Sequence, residues 1–187
     1  MFSRFFNAKK SAQAAVFVLR LNNGQMDKYL FIKILYLADR PAYERWSQSI
    51  TGDDAISMEF GPVLSAIYDL TKGARPELRP DWEPFISDSD EQTNLIFAKE
   101  DPGTDELSPS EMKLLQSTYE RFKNFTFQQM KEYCHDLSEY DKSVGKGAKL
   151  IRPEEILQAV GKTNEQIQEA DQMSNEVALL RLMFGAC

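Results

Sequence analysis

The stretch DKYLFIKILYLADR, residues 27–40, constrains the fold more than any other part of the chain. At helical spacing, Leu30, Phe31, Ile34, Leu37 and Ala38 form one broad apolar stripe. Ile32, Leu35 and Tyr36 carry that stripe around most of the circumference. A helix apolar nearly all round has to be wrapped by other elements. The sequence therefore predicts a domain built around this segment, with Asp27 opening it and Lys33 as the only charge between Lys28 and Asp39. Pro41 lacks an N–H and clashes with the preceding turn, so a kink or restart is expected there, with the helix resuming to Ile50.

The wrapping elements are legible as helices. Residues 1–10 read as an N-terminal tail and 11–187 as one domain. Ser11 caps a first helix with Ala12, Ala15, Val16 and Leu19 on one face, and Asn22-Asn23-Gly24 ends it. In MEFGPVLSAIYDL (58–70), a strand over 55–60 meets Gly61, and Pro62 takes the first position of a helix that stops at Gly73. Ser108-x-x-Glu111, Thr126-x-x-Gln129 and Thr163-x-x-Gln166 are capping boxes, and Pro153 opens a short helix. Residues 75–105 hold four prolines and many acids. There 82–87 and 93–99 read as strands that join 55–60 in a small antiparallel sheet; a loose, partly disordered insertion is the alternative. Residues 138–152 read as a loop. On the last helix Ile167, Ala170, Met173, Val177, Leu180 and Phe184 form a stripe that packs on its own domain or takes a partner helix. The expected fold is mainly α (α+β), with about seven helices and a small sheet or hairpin.

Charge and chemistry narrow the function classes. A net charge of −7 lacks the basic footprint of a phosphate-tracking protein, so no nucleic acid is expected. No run of 18 apolar residues occurs, so no membrane span is expected. Residues 1–26 carry bases and no acid, as a transit peptide does. Their apolar run is short, contains Arg20 and precedes no cleavage site, which favours a first helix. Phe2, Phe5 and Phe6 beside Arg4, Lys9 and Lys10 either fray or touch a membrane or partner. Cys134 and Cys187 make no disulfide framework, and a reducing cytoplasm is the expected compartment. The single histidine, His135, adjoins Cys134, and adjacent helical side chains point about 100° apart, which suits a nucleophile and its base poorly. Three Cys and His residues in total are too few for a zinc site. Nucleotide-binding glycine motifs are missing, so no cofactor is expected. Tyr36, Asp39, Tyr68 and Asp69 sit within apolar helices and read either as a satisfied core network or as the lining of a cleft.

Several pieces in order carry a family resemblance: KILYLADR (33–40), Trp46, ITGD (50–53), MEFGPVLSAIYDLTKG (58–73), Cys134-His135-Asp136, IRPEEILQAVGK (151–162) and LMFG (182–185). The arrangement over about residues 11–185 resembles the Panacea-domain proteins, the SocA-like antitoxins, often phage-associated. It departs from them at Phe60, Cys134 and Tyr140, where His or Tyr, Ser and Trp are common. The resemblance implies a helical, non-enzymatic domain that neutralises a neighbour-encoded toxin by direct binding. The cognate toxin is the expected partner. In a proteolytic-adaptor variant of this role, the bound toxin is handed to a cellular protease. A phage regulatory interaction protein and an enzyme using His135 with Asp136 or Asp69 are the other readings. The surface around the Gly61-Pro62 turn and the last helix is the expected grip. Tyr36, Asp39, Phe60, Gly61, Pro62, Tyr68, Asp69 and His135 are its candidate partner-binding or core polar residues. The sequence leaves the oligomeric state and the toxin open.

Overall fold

The computed structural model of the chain describes residue 2 and residues 5–184. Arg4, Gly185 and Cys187, which figured in the sequence reading, lie outside the described residues. Seven α-helices occur among the described residues: α1 (Ala8–Leu21), α2 (Lys28–Trp46), α3 (Ser65–Leu70), α4 (Pro109–Phe122), α5 (Phe127–His135), α6 (Pro153–Ala159) and α7 (Asn164–Phe184). Five short strands accompany them: β1 (Gln25–Asp27), β2 (Ala55–Met58), β3 (Val63–Leu64), β4 (Leu95–Phe97) and β5 (Ala148–Ile151). The fold is mainly α with a small antiparallel component, as the periodicity predicts.

α2 is the central element. Its residues 31–39 are buried without a break, Lys33 and Asp39 included. It packs against α1, α4, α5 and α6. Asp27 caps it by accepting the Leu30 N–H at 3.1 Å. Pro41 neither stops nor restarts it; the helix runs through to Trp46 and ends at Ser47 in the left-handed conformation, four residues short of the expected end. Tertiary packing on both sides of Pro41, with Ala42 and Tyr43 buried, outweighs the local cost of the proline.

Three other local expectations are corrected. α1 begins at Ala8 with Asn7 as its cap, and Ser11 is buried inside it, because residues 5–7 dock on the 49–52 loop instead of fraying. The strands do not form one sheet. β1 pairs with β4 (Met26 opposite Ile96), and β2 sits between β3 and β5 (Ala55 opposite Leu64 and Ile151). Residues 82–86 are turns anchored by the buried Trp82, with only an Ile86–Ala98 bridge, and 148–151 of the supposed loop supply β5. Strand partners are a long-range choice that alternation within a short segment does not encode. Pro62 precedes β3 and does not open a helix; α3 starts at Ser65. The capping boxes at Ser108 and Thr126 are present as read, and Thr163 and Gln166 exchange the same pair of bonds.

Candidate functional site

The turn joining β2 to β3, residues 59–62, is gripped through its carbonyls. Tyr140 donates its hydroxyl to the Met58 and Glu59 oxygens at 3.0 and 3.3 Å. His135 Nε2 lies 3.1 Å from the Glu59 oxygen, a bond that requires the proton on Nε2. The Tyr29 hydroxyl donates to Phe60 O at 3.0 Å, and Lys33 Nζ donates to Pro62 O at 2.8 Å. Four side chains from α2, α5 and the segment after α5 therefore hold three carbonyls of the turn and that of Met58, which ends β2. Gly61 makes the close approach feasible. Its φ is +100°, and a Cβ there would lie 2.6 Å from the Cys134 Cβ.

With the backbone fixed from below, the Phe60 side chain faces out, 42% exposed. Its ring meets Phe127 edge-on at 5.5 Å, and Phe127 packs on Tyr29 at 4.5 Å. Lys131 places its ammonium 5.4 Å from the Phe60 ring centre, and His135 stacks on Tyr140 at 4.6 Å. The result is an aromatic surface with one lysine, Lys131, at its edge, presented by a turn held at several carbonyls.

Beneath it, burial dominates the electrostatics. Lys33 is 1% exposed, and among the described residues no carboxylate pairs with it; burial pushes its ammonium down to about 8. Burial also pushes the Cys134 thiol up to about 11, and its sulfur sits 3.9 Å from the Met130 sulfur. Cys134 thus faces the core while His135 faces Glu59 and Tyr140, and the two do not form a nucleophile–base pair. Among the described residues no group of three His, Cys, Asp or Glu is placed to hold a metal ion.

The other predicted site residues lie elsewhere. Tyr36 donates to Glu139 Oε1 at 2.8 Å, and Arg40 clasps both oxygens of the same buried carboxylate. Asp39 accepts the Ile50 N–H at 2.8 Å and the Thr51 hydroxyl at 3.1 Å, and burial pushes its carboxyl up to about 7. These are core networks, not cleft linings. Tyr68 and Asp69 do not reach them. Lys72 sits 3.9 Å over the Tyr68 ring, and Asp69 pairs with Lys72 at 3.4 Å on the surface. Of the eight residues singled out in the sequence, Phe60, Gly61, Pro62 and His135 converge. Tyr29, Lys33, Phe127 and Tyr140 complete the clamp, and Glu139 and Asp53 complete the core networks. Lys33 carried a signal, being a lone charge on a buried helix. Glu139 carried none, since it falls in a stretch that reads as loop.

Comparison with known families bears directly on this arrangement. A family model described as antitoxin SocA-like, Panacea domain, matches residues 31–140. The chain belongs to that family. Comparisons with curated proteins and with solved structures returned no match. The Panacea segment is shorter than the 11–185 stretch that carries the resemblance, and its limits are informative. It opens in α2 and closes at Tyr140, so it contains the turn and all its clamping residues except Tyr29. It also contains both buried carboxylate networks, while α1, β5, α6 and α7 fall outside it.

Proposed function

We propose that this Panacea-domain protein is an antitoxin that neutralises a co-encoded toxin by direct binding, with the aromatic surface at residues 59–62 as its contact. The observation that supports this reading most is the clamped turn that holds Phe60 outward beside Phe127. Rigid aromatic anchors in a well-packed surround lose little entropy on binding and are the usual hot spots of protein interfaces. Neutralisation by occlusion needs no catalytic group, and we take the chain to be a binding protein, not an enzyme. An acidic antitoxin also suits a basic toxin, because complementary charge speeds encounter. We take its action to lie in the cytoplasm, beside a newly made toxin; separately, no helix among the described residues is long and apolar enough to cross a membrane.

Co-expression with the product of the adjacent open reading frame tests the reading. Growth arrest caused by that product should be relieved by the intact chain, and the two should co-purify. Phe60→Ala and Phe127→Ala should each weaken toxin affinity tenfold or more, about 1.4 kcal/mol, without loss of fold. Relief by neither the intact chain nor its variants, for every neighbour tried, would count decisively against an antitoxin. Toxin half-life with and without the chain separates occlusion, which leaves it unchanged or longer, from delivery to a protease, which shortens it.

A further inference from the structure

α7 begins on the domain and ends off it. Ile167 and Ala170 are buried, as is Ala178, but Met173, Val177, Leu180 and Phe184 are between 48% and 75% exposed. These four recur at steps of four, three and four, the spacing of a coiled-coil seam. Leu182 and Met183 beside them are exposed as well. An uncovered apolar surface of this extent marks an interaction site.

We propose that a second copy of the chain covers this seam, with α7 packed antiparallel on α7. The inference is independent of the toxin-binding surface, which belongs to the Panacea segment; α7 lies outside that segment. The spacing itself is the first reason. Steps of four, three and four read the same in both directions. A twofold axis between positions 178 and 179 therefore sets Met173 opposite Phe184 of the second copy and Val177 opposite Leu180. Each pair then occurs twice, as an isologous contact requires.

Charge gives the second reason. The acids at 165, 169 and 171 are carried to opposite ends of the pair, whereas a parallel pair would bring like charges side by side.

The third reason is a groove of about 410 Å³ at the N-terminal end of the seam, lined by Phe5, Trp46, Ile50, Ala170, Met173 and Val177 among others. A stable interface takes about 800 Å² from each partner, and four seam side chains fall short of that. In the antiparallel register Phe184 of the second copy lies over Met173, at the mouth of the groove. Seating that end of the helix against Phe5 and Trp46 extends the contact well beyond the seam.

Sedimentation of the full chain at micromolar concentration tests the proposal. Twice the 21.4 kDa chain mass is expected. Val177→Glu and Leu180→Glu should each return it to a monomer with an unchanged far-ultraviolet circular dichroism spectrum; Leu180→Ala, a milder change, should raise the dimer dissociation constant about tenfold or more. In a Cys187→Ser background, Met173→Cys with Phe184→Cys should form a covalent dimer on mild oxidation. Met173→Cys alone should not, since its two copies lie about 16 Å apart along the antiparallel pair. A monomer at micromolar concentration, a dimer indifferent to both glutamates, or ready cross-linking by Met173→Cys alone would each overturn the proposal. So would a monomer whose α7 is engaged only by the toxin or only by anionic phospholipid vesicles. Toxin neutralisation by the Val177→Glu monomer separates this proposal from the function proposed above, because either can fail alone.

Discussion

Glu139 supports more of the structure than its place in an irregular segment suggests. Its carboxylate receives the Tyr36 hydroxyl and both ends of the Arg40 guanidinium while its own side chain is fully buried. Removing one partner of such a pair leaves a buried charge without compensation, so Glu139→Ala should cost about 3–5 kcal/mol in urea denaturation. Gly61→Ala should cost about 1–3 kcal/mol, from positive φ and collision with Cys134 together, and should loosen the turn that presents Phe60. The buried ionisable groups make stability depend on pH in opposite senses. Asp39 and Asp53 have folded values of about 7 and about 6 against 3.8 for the free side chain. Between those values the folded chain binds more protons than the unfolded one, so stability falls as pH rises from about 4 to 7. Lys33, at about 8 folded against 10.5, works the other way: the unfolded chain holds the extra proton, and stability rises from about 8 to 10.5. Asp39→Asn should flatten the first limb and Lys33→Met the second, as followed by denaturation midpoints across pH.

Among the elements, α3 shows how a short helix is made to start. It has six residues and no side-chain cap of its own, since Leu64 precedes it. Asp53, from the loop after α2, supplies the cap by accepting the Ala66 and Ile67 N–H groups at 3.0 and 2.9 Å. Burial pushes the Asp53 carboxyl up to about 6, and these two bonds oppose the shift. ITGD and SAIYDL, separated in sequence, are thus two halves of one N-terminus. Asp53→Ala should destabilise the fold by about 0.5–2 kcal/mol, with amide exchange quickening first in α3. By contrast α4 and α5 carry their own capping boxes, and the sequence located their starts correctly, as it did those of α2, α6 and α7.

Across the whole molecule, the net charge of −7 sets how the chain meets a partner. If the toxin is basic, raising salt from 50 to 500 mM should slow association markedly and change dissociation little, which stopped-flow or surface-binding kinetics would read. The apolar circumference of residues 30–38 sufficed to determine a helical domain with α2 at its centre, because a helix without a polar face has no other place to go. Capping boxes and the glycine turns were legible for the same kind of reason, being chemistry between residues three or four apart. Gly61 stood out as a backbone pivot, but nothing local said that Cys134 would press on it or that Tyr29, Lys33, His135 and Tyr140 would hold its neighbours. Strand partners, the passage of α2 through Pro41 and the parting of Tyr36 from Tyr68 were likewise decided in three dimensions. Each depends on contacts between residues far apart in the chain, where the energy lies in burial and paired polar groups rather than in local pattern.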